Sequence, residues 1–506
     1  MSLGNRLLTP LRILIKRYPK KSQRALEILP GAISWSMILF PVWGSFLWPI
    51  GVAYYIIAFD VYWFYRSVSM AFLSVLSWYR IKAGSSYDWM GDVKEFPDWE
   101  KVYHAVVIPN AKEPTAILVR TLQSLQAQTF PCKQIIPIIA CEGRAGEEIY
   151  RERVEQLSEK FKGGFAKLMF TKHPADIPGE VVGKSANSAW AGKELKKELK
   201  KHPEWEMEHM TISSMDMDAV FHPNHFAALT FKFLDDPARY RRIWQGAIMF
   251  YNNIEEIPWP MRVFNRTASV VYMGLLMRKD RLINFSTYSM SLKLMDEVGY
   301  WDTDVIPEDY RIFFKSYFAT AGEVEVEPIF LPVFEDAAES IGFMRSFDNT
   351  YQQVKRWAWG ASDDAYFLKN YISDTKAPFW DKTVRVMKVL EDHFLWPVNW
   401  FVVTLGATLP PLLNENFSRS IIGKTLPQVA SGILTLSLLS LLLMIFVDFK
   451  ARPNIKTLPL WRKIFSPFEF VLLPVVGFFF SALPGLEAHT RLMVGKYIEY
   501  RVTEKV

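Results

Sequence analysis

Cysteine is nearly absent from the chain, which has Cys132 and Cys141 and no others. Two thiols at that spacing make neither a disulfide framework nor a zinc-type ligand set, and a reducing compartment suits them. A phosphate-binding P-loop is also lacking, which excludes that class of nucleoside triphosphatase. No basic stripe carries a nucleic-acid-binding motif, so no nucleic-acid partner is expected. Behind the first apolar run there is no small-residue cleavage site, and the run is therefore not read as a secretion leader. Internal repeats and low-complexity tracts are lacking as well.

Apolar and aromatic residues are plentiful. They reach 50% and 15% of the chain, with 18 Trp and 37 Phe, and they crowd towards its two ends. Aromatic side chains at such density suit lipid headgroup depth. The net charge of +6 gathers beside the apolar runs. Arg6, Arg12, Lys16, Arg17, Lys20, Lys21 and Arg24 precede the first run, and Lys450, Arg452, Lys456, Arg462 and Lys463 follow a later one. Positive charge in these places indicates a cytoplasmic flank or attraction to anionic lipid.

Residues 31–50 and 51–65 read as a transmembrane hairpin turning at Pro49–Gly51, each arm near the lower limit of about 17–25 residues for a span. Residues 66–82 suit a helix lying at the interface. Towards the C-terminus, 393–413 and 428–448 read as further spans, joined by a short stretch (414–427) poor in positive charge that should face away from the cytoplasm. The proline-interrupted 467–485 is left as either a span or a re-entrant segment.

Between these ends the pattern alternates. AVVIP (105–109), IIPIIA (135–140) and MTISSM (210–215) read as short buried strands; 115–128, 146–161 and 184–201 read as helices. Such alternation predicts an α/β domain with a mainly parallel sheet, whose ligands sit beyond the carboxyl ends of the strands. The expected division is 1–85 for basic leader, hairpin and interfacial helix, 100–345 for the α/β domain, 346–392 for interfacial helices, and 393–506 for the C-terminal membrane region.

Four clusters could carry chemistry, and each has an ordinary structural explanation. Asp216 and Asp218, in MDMD after a strand, could hold a divalent cation against a diphosphate, or simply belong to a solvated loop. Glu308-Asp309, opening a helix, could supply a general base or cap the helix. Gln353-Val354-Lys355-Arg356-Trp357 could stack on a sugar and bind an anion, or mark headgroup depth. In Gly183-Lys184-Ser185-Ala186-Asn187 a lysine and backbone N–H groups meet at a helix start, where phosphate could bind.

Taken in order, these clusters resemble the family 2 glycosyltransferases, especially the membrane-bound synthases related to cellulose and hyaluronan synthases. VVIPNAKEP resembles the family's opening strand and nucleotide-binding turn, with Glu113 at its acidic position. GKSAN resembles G-K-x-x-N, MDMD the metal-binding D-x-D, IPED the E-D that carries the base, and QQVKRW the Q-x-x-R-W. Tyr500-Arg501-Val502-Thr503-Glu504-Lys505 resembles a F-x-V-T-x-K gating loop, with Tyr in place of Phe. Glu142 stands where the family usually has a shorter Asp that contacts the nucleobase.

The resemblance implies a GT-A domain, a Rossmann-like mixed and mainly parallel sheet on the cytoplasmic side, flanked by transmembrane and interfacial helices. It implies an inverting transfer assisted by Mg²⁺ or Mn²⁺ on Asp216 and Asp218, with Asp309 as base beside Glu308. Glu113, Glu142, Lys184, Asn187, Asp216, Arg356, Thr503 and Lys505 would meet a nucleotide sugar, expected to be a UDP-sugar; Gln353, Arg356 and Trp357 would meet the acceptor. The acceptor is a glycan, if the chain is a processive polysaccharide synthase, or a lipid, if it adds one sugar as ceramide glucosyltransferases do with a similar Q-x-x-R-W. A catalytically silent membrane scaffold is the reading of another class. A multi-pass protein in the lipid bilayer of a bacterial plasma membrane is the expected setting.

Overall fold

The computed structural model describes residues 3–499. Eight strands form one sheet: β1 (Tyr103–Asn110), β2 (Ile135–Glu142), β3 (Met169–His173), β4 (Met210–Ser214), β5 (Val220–Phe221), β6 (Arg242–Met249), β7 (Tyr288–Ser291) and β8 (Glu325–Phe334). Their order is β3-β2-β1-β4-β7-β6-β8-β5. The β3-β2-β1-β4 half is parallel throughout, and β6 and β8 are parallel too; β7 runs antiparallel to β4 and β6, and β5 antiparallel to β8. The expected mixed, mainly parallel α/β sheet is present, with apolar helices on its flanks.

Residues 104–108 of β1 and 135–141 of β2 are buried, as strands covered by helices on both faces must be. The connecting helices Thr115–Gln126, Glu147–Lys160 and Lys184–Leu199 return the chain each time to the same edge. The carboxyl ends of β1, β2 and β4 therefore open together.

Among the described residues, four helical segments are long and apolar enough to cross a membrane: Pro19–Leu47, Pro49–Ser86, Ile421–Ala451 and Leu460–Val494. The first two meet at Trp48, so the expected break near Pro49 is there. Residues 66–82, however, form no separate interfacial helix. They continue one helix of 38 residues, about 57 Å long at 1.5 Å per residue. Its last turns rest on the sheet: a Cβ at Gly84 would lie 2.7 Å from the Phe330 carbonyl of β8, and Arg80 sits over the Phe330 ring at 5.1 Å. That close approach coincides with an irregularity in β8, where the pairing jumps from Gly246↔Ile329 to Ala247↔Pro332.

Residues 393–413 differ more. This apolar stretch is divided among Phe379–Leu395, Asn399–Leu405 and Leu409–Leu413, and is not one of the four long segments. Pro397, Pro410 and Pro411 lack the N–H that a continuous helix needs, which hydropathy does not register. Leu460–Val494 has length and apolarity in its stead, although it contains 3₁₀ and π-helical turns around its prolines.

Candidate active site

A cavity of about 330 Å³ opens at the carboxyl edge of β1, β2 and β4. The loop after β1 forms one wall. It is fixed by Arg153, a buried side chain from Glu147–Lys160 that donates to Asn110 Oδ1 (2.5 Å) and to the Ala111 carbonyl (2.7 Å). Glu113 folds back to accept from the Ala111 N–H at 2.7 Å. Glu142, at the end of β2, also lines the cavity and faces His173 Nδ1 at 3.6 Å, while His173 Nε2 lies 2.9 Å from Glu180. Burial works against a charged His173, but the two carboxylates lift its pKa above the ordinary value.

Lys184 is the charge at the centre. Its Nζ reaches Asp216 Oδ1 (2.8 Å), Glu308 Oε1 (3.0 Å) and the Ser286 carbonyl (2.7 Å). Asn187 lines the cavity but spends its amide on the Ala140 carbonyl at 2.7 Å, which steadies β2. Asp309 opens the helix Glu308–Ala319, and its Oδ2 accepts from the Ser286 N–H at 2.9 Å. Burial and then the Glu308 charge push its pKa well above the usual carboxylate range, and Lys184 opposes them.

Ser286 and Glu335 are absent from the sequence reading and are central here. Ser286 has a φ of +55°, a region that non-glycine residues rarely occupy and that concentrates at functional sites. In that conformation its N–H meets Asp309 while its hydroxyl donates towards Glu335 Oε1 (2.6 Å) and Asp216 Oδ2 (3.2 Å). Glu335, directly after β8, also accepts from Thr287 Oγ1 at 2.8 Å. An acidic pair, Glu335-Asp336, ending a strand was the available signal, the same one that singled out MDMD.

The two aspartates of MDMD part company. Asp216 lines the cavity; Asp218 does not, being fully buried with Oδ2 accepting from the Asp336 N–H at 2.6 Å. Among the described residues no group of three or more His, Cys, Asp or Glu is placed to hold a metal ion. The cavity instead offers Asp216 and Glu335 about one hydroxyl. That donor set fits Mg²⁺ or Mn²⁺ that completes its shell with diphosphate oxygens and water.

The far wall comes from the helix Phe343–Ala358, which brings Gln353, Arg356 and Trp357 onto the same cavity. Trp357 is nearly parallel to Phe250 (6.0 Å, 24°) and to Phe264 (6.2 Å, 25°). Thr503 and Lys505 lie outside the described residues.

Residues 211–451 match the family model for glycosyl transferase family group 2. That region, a little under half of the chain, is similar to the family 2 glycosyltransferases. The match takes in Asp216, Asp218, Glu308, Asp309 and the Gln353–Trp357 motif; Glu113, Glu142, Lys184 and Asn187 of the transferase lie before it. Among solved structures, the mannosyltransferase PcManGT from Pyrobaculum calidifontis, in complex with GDP-Man and Mn²⁺, is 13% identical with a TM-score of 0.40, over 78% of this chain and 98% of that one. TarS 1–349 from S. aureus, in complex with UDP-GlcNAc, is 13% identical with a TM-score of 0.35, over 79% and 93%. No curated protein matches the transferase.

Proposed function

We propose that this nucleotide-sugar transferase works by a single inverting displacement on the cytoplasmic face of a membrane, assisted by a divalent metal. The observation that carries the reading is the placing of Asp309: a half-buried carboxylate on the cavity wall, fixed by Ser286, with Lys184 and Asp216 beside it. Asp309 takes the proton of the acceptor hydroxyl as that oxygen attacks the anomeric carbon from the face opposite the diphosphate. Lys184 and Arg356 offset negative charge on the departing diphosphate, and Trp357 provides a platform for the acceptor. A metal held by Asp216, with Glu335 near it, would neutralise the same leaving group. The scaffold reading has little to support it, because the acidic and aromatic groups that chemistry needs converge on one cavity.

For the acceptor, the sequence favours a growing polysaccharide. One packing feature favours a membrane lipid and a single addition: helices Pro49–Ser86 and Ile421–Ala451 meet through the apolar side chains of Val52, Ala53, Ile56, Leu426 and Ala430. Nucleotide release from purified protein against a panel of sugar nucleotides tests the core proposal. Release from one donor should appear with Mg²⁺ or Mn²⁺ and vanish with chelator; silence across the panel, in native membranes too, would return the scaffold reading. Sizing the product then separates a polymer ladder from one glycolipid.

A further inference from the structure

We propose that His393, held by Asp364, binds an oxygen of the sugar acceptor at the end of the cavity away from the nucleotide. This deepens the transfer reading above and rests on it.

His393 lines the cavity from the helix Phe379–Leu395. Its Nδ1 lies 2.7 Å from Asp364 Oδ1, and Asp364 is fully buried, so the ring has its orientation and one proton fixed from behind. The other face of the arrangement is unused: no hydrogen-bond partner of Nε2 is found among the described residues, and beside it lies Gly360, where a Cβ would stand 3.6 Å from that nitrogen. The imidazole stacks on Tyr310 at 5.8 Å and 15°. Tyr310 adjoins Asp309 in the chain, so an acceptor whose hydroxyl meets Asp309 extends towards this stack. The nucleotide side is built by the strand ends and Lys184, whereas Trp396, just past the end of the helix that carries His393, lines the cavity beside it.

The charge balance favours a donor at Nε2. Burial pulls the imidazolium down, but Asp364 outweighs it, with Asp392 and Asp363 adding to the pull, and His393 sits above its ordinary pKa. Around it, Asp363 is tied to Arg311, Asp392 to Arg66 and Arg281, and the Tyr310 phenol and the imidazole of His489 face it from two further helices. An Nε2–H that donates can take a sugar hydroxyl oxygen or a phosphate oxygen of a lipid-linked acceptor.

The test uses native membranes with their own acceptors and the radiolabelled sugar nucleotide that wild type turns over. Sugar is counted separately in the lipid extract and in insoluble polymer, which distinguishes the two oxygen sources. Nucleotide binding and acceptor-free nucleotide release are measured on detergent-purified protein. His393→Phe, which keeps a ring over Tyr310, should lower transfer about tenfold or more while binding and acceptor-free release stay within about twofold. His393→Gln, with an N–H of its own, should restore part of the transfer and remove its alkaline fall; Asp364→Asn should move that fall to lower pH. Unchanged transfer in His393→Phe, or parallel loss of binding, release and transfer in both His393 variants, overturns the proposal. A wild type that neither binds nor consumes any sugar nucleotide overturns the transfer reading itself.

Discussion

Asp309 is a carboxylate that must ionise where burial resists it. Replacement by Asn keeps the size and the capacity to accept from Ser286, but removes the base. Transfer should fall on the order of 10²–10⁴-fold with nucleotide binding retained, as read by single-turnover transfer and by nucleotide titration. The pH dependence follows from the same surroundings. The base works only when ionised and its pKa is raised, so activity should be present above that value and lost as pH falls through it. Lys184 holds the value down. Lys184→Met should therefore shift the acid limb of kcat/KM to higher pH, apart from any loss of donor affinity; a limb that stays in place would separate Lys184 from the base. These two residues were legible in the sequence because motifs at fixed spacing announce them. Ser286 was not: a serine at +55° has no local signature, and only the fold reveals that its N–H and hydroxyl hold Asp309 and Asp216 together.

At the scale of elements, legibility followed burial pattern. The runs in β1 and β2 stand out because strands covered on both faces are near-continuously apolar. β7 (YSMS) is only four residues, two of them serines, and is fixed by its two neighbours, so its own sequence says little. The stretch 393–413 misled because hydropathy averages over prolines that interrupt the backbone. One junction between elements was also invisible. Arg266, in the helix Trp259–Leu275, donates to Asp448 from Nε (3.0 Å) and Nη2 (2.6 Å), and to Glu469 from Nη1 (2.8 Å). Both Arg266 and Asp448 are buried, and Arg452 and Tyr251 complete the shell of Asp448. The network rivets the domain to the end of Ile421–Ala451. Removing one partner of such a pair strands the other, so Arg266→Met should cost about 3 kcal/mol. A marked drop in the half-inactivation temperature of detergent-solubilised protein is expected; an unchanged temperature would mean that Arg452 alone suffices for Asp448.

For the whole molecule the question is which way the apolar segments run. Asn414 Nδ2 donates to the Ser45 carbonyl at 2.7 Å, so the 414–420 connection sits beside the hairpin tip at Trp48. From there Pro49–Ser86 leads to β8 and Ile421–Ala451 leads to Arg266, both at the domain. The hairpin tip and 414–420 thus share the end remote from the sheet, in keeping with the low positive charge of that connection. Leu460–Val494 is long enough to cross, yet both of its ends touch the domain: Glu469 pairs with Arg262 and Arg266, and Glu487 with Lys355. Prolines and a π-helical turn let it bend between these contacts. We propose that this segment, anchored twice on one side, dips into the bilayer and returns. In intact cells an impermeant maleimide should therefore label Asn416→Cys and leave Lys496→Cys unlabelled until the membrane is opened. Cys132, on the domain, should behave like Lys496→Cys. Labelling of Lys496→Cys in intact cells would make Leu460–Val494 a true crossing and put residue 496 on the far side from the cavity; protection keeps the chain after Val494 on the side where the nucleotide sugar arrives.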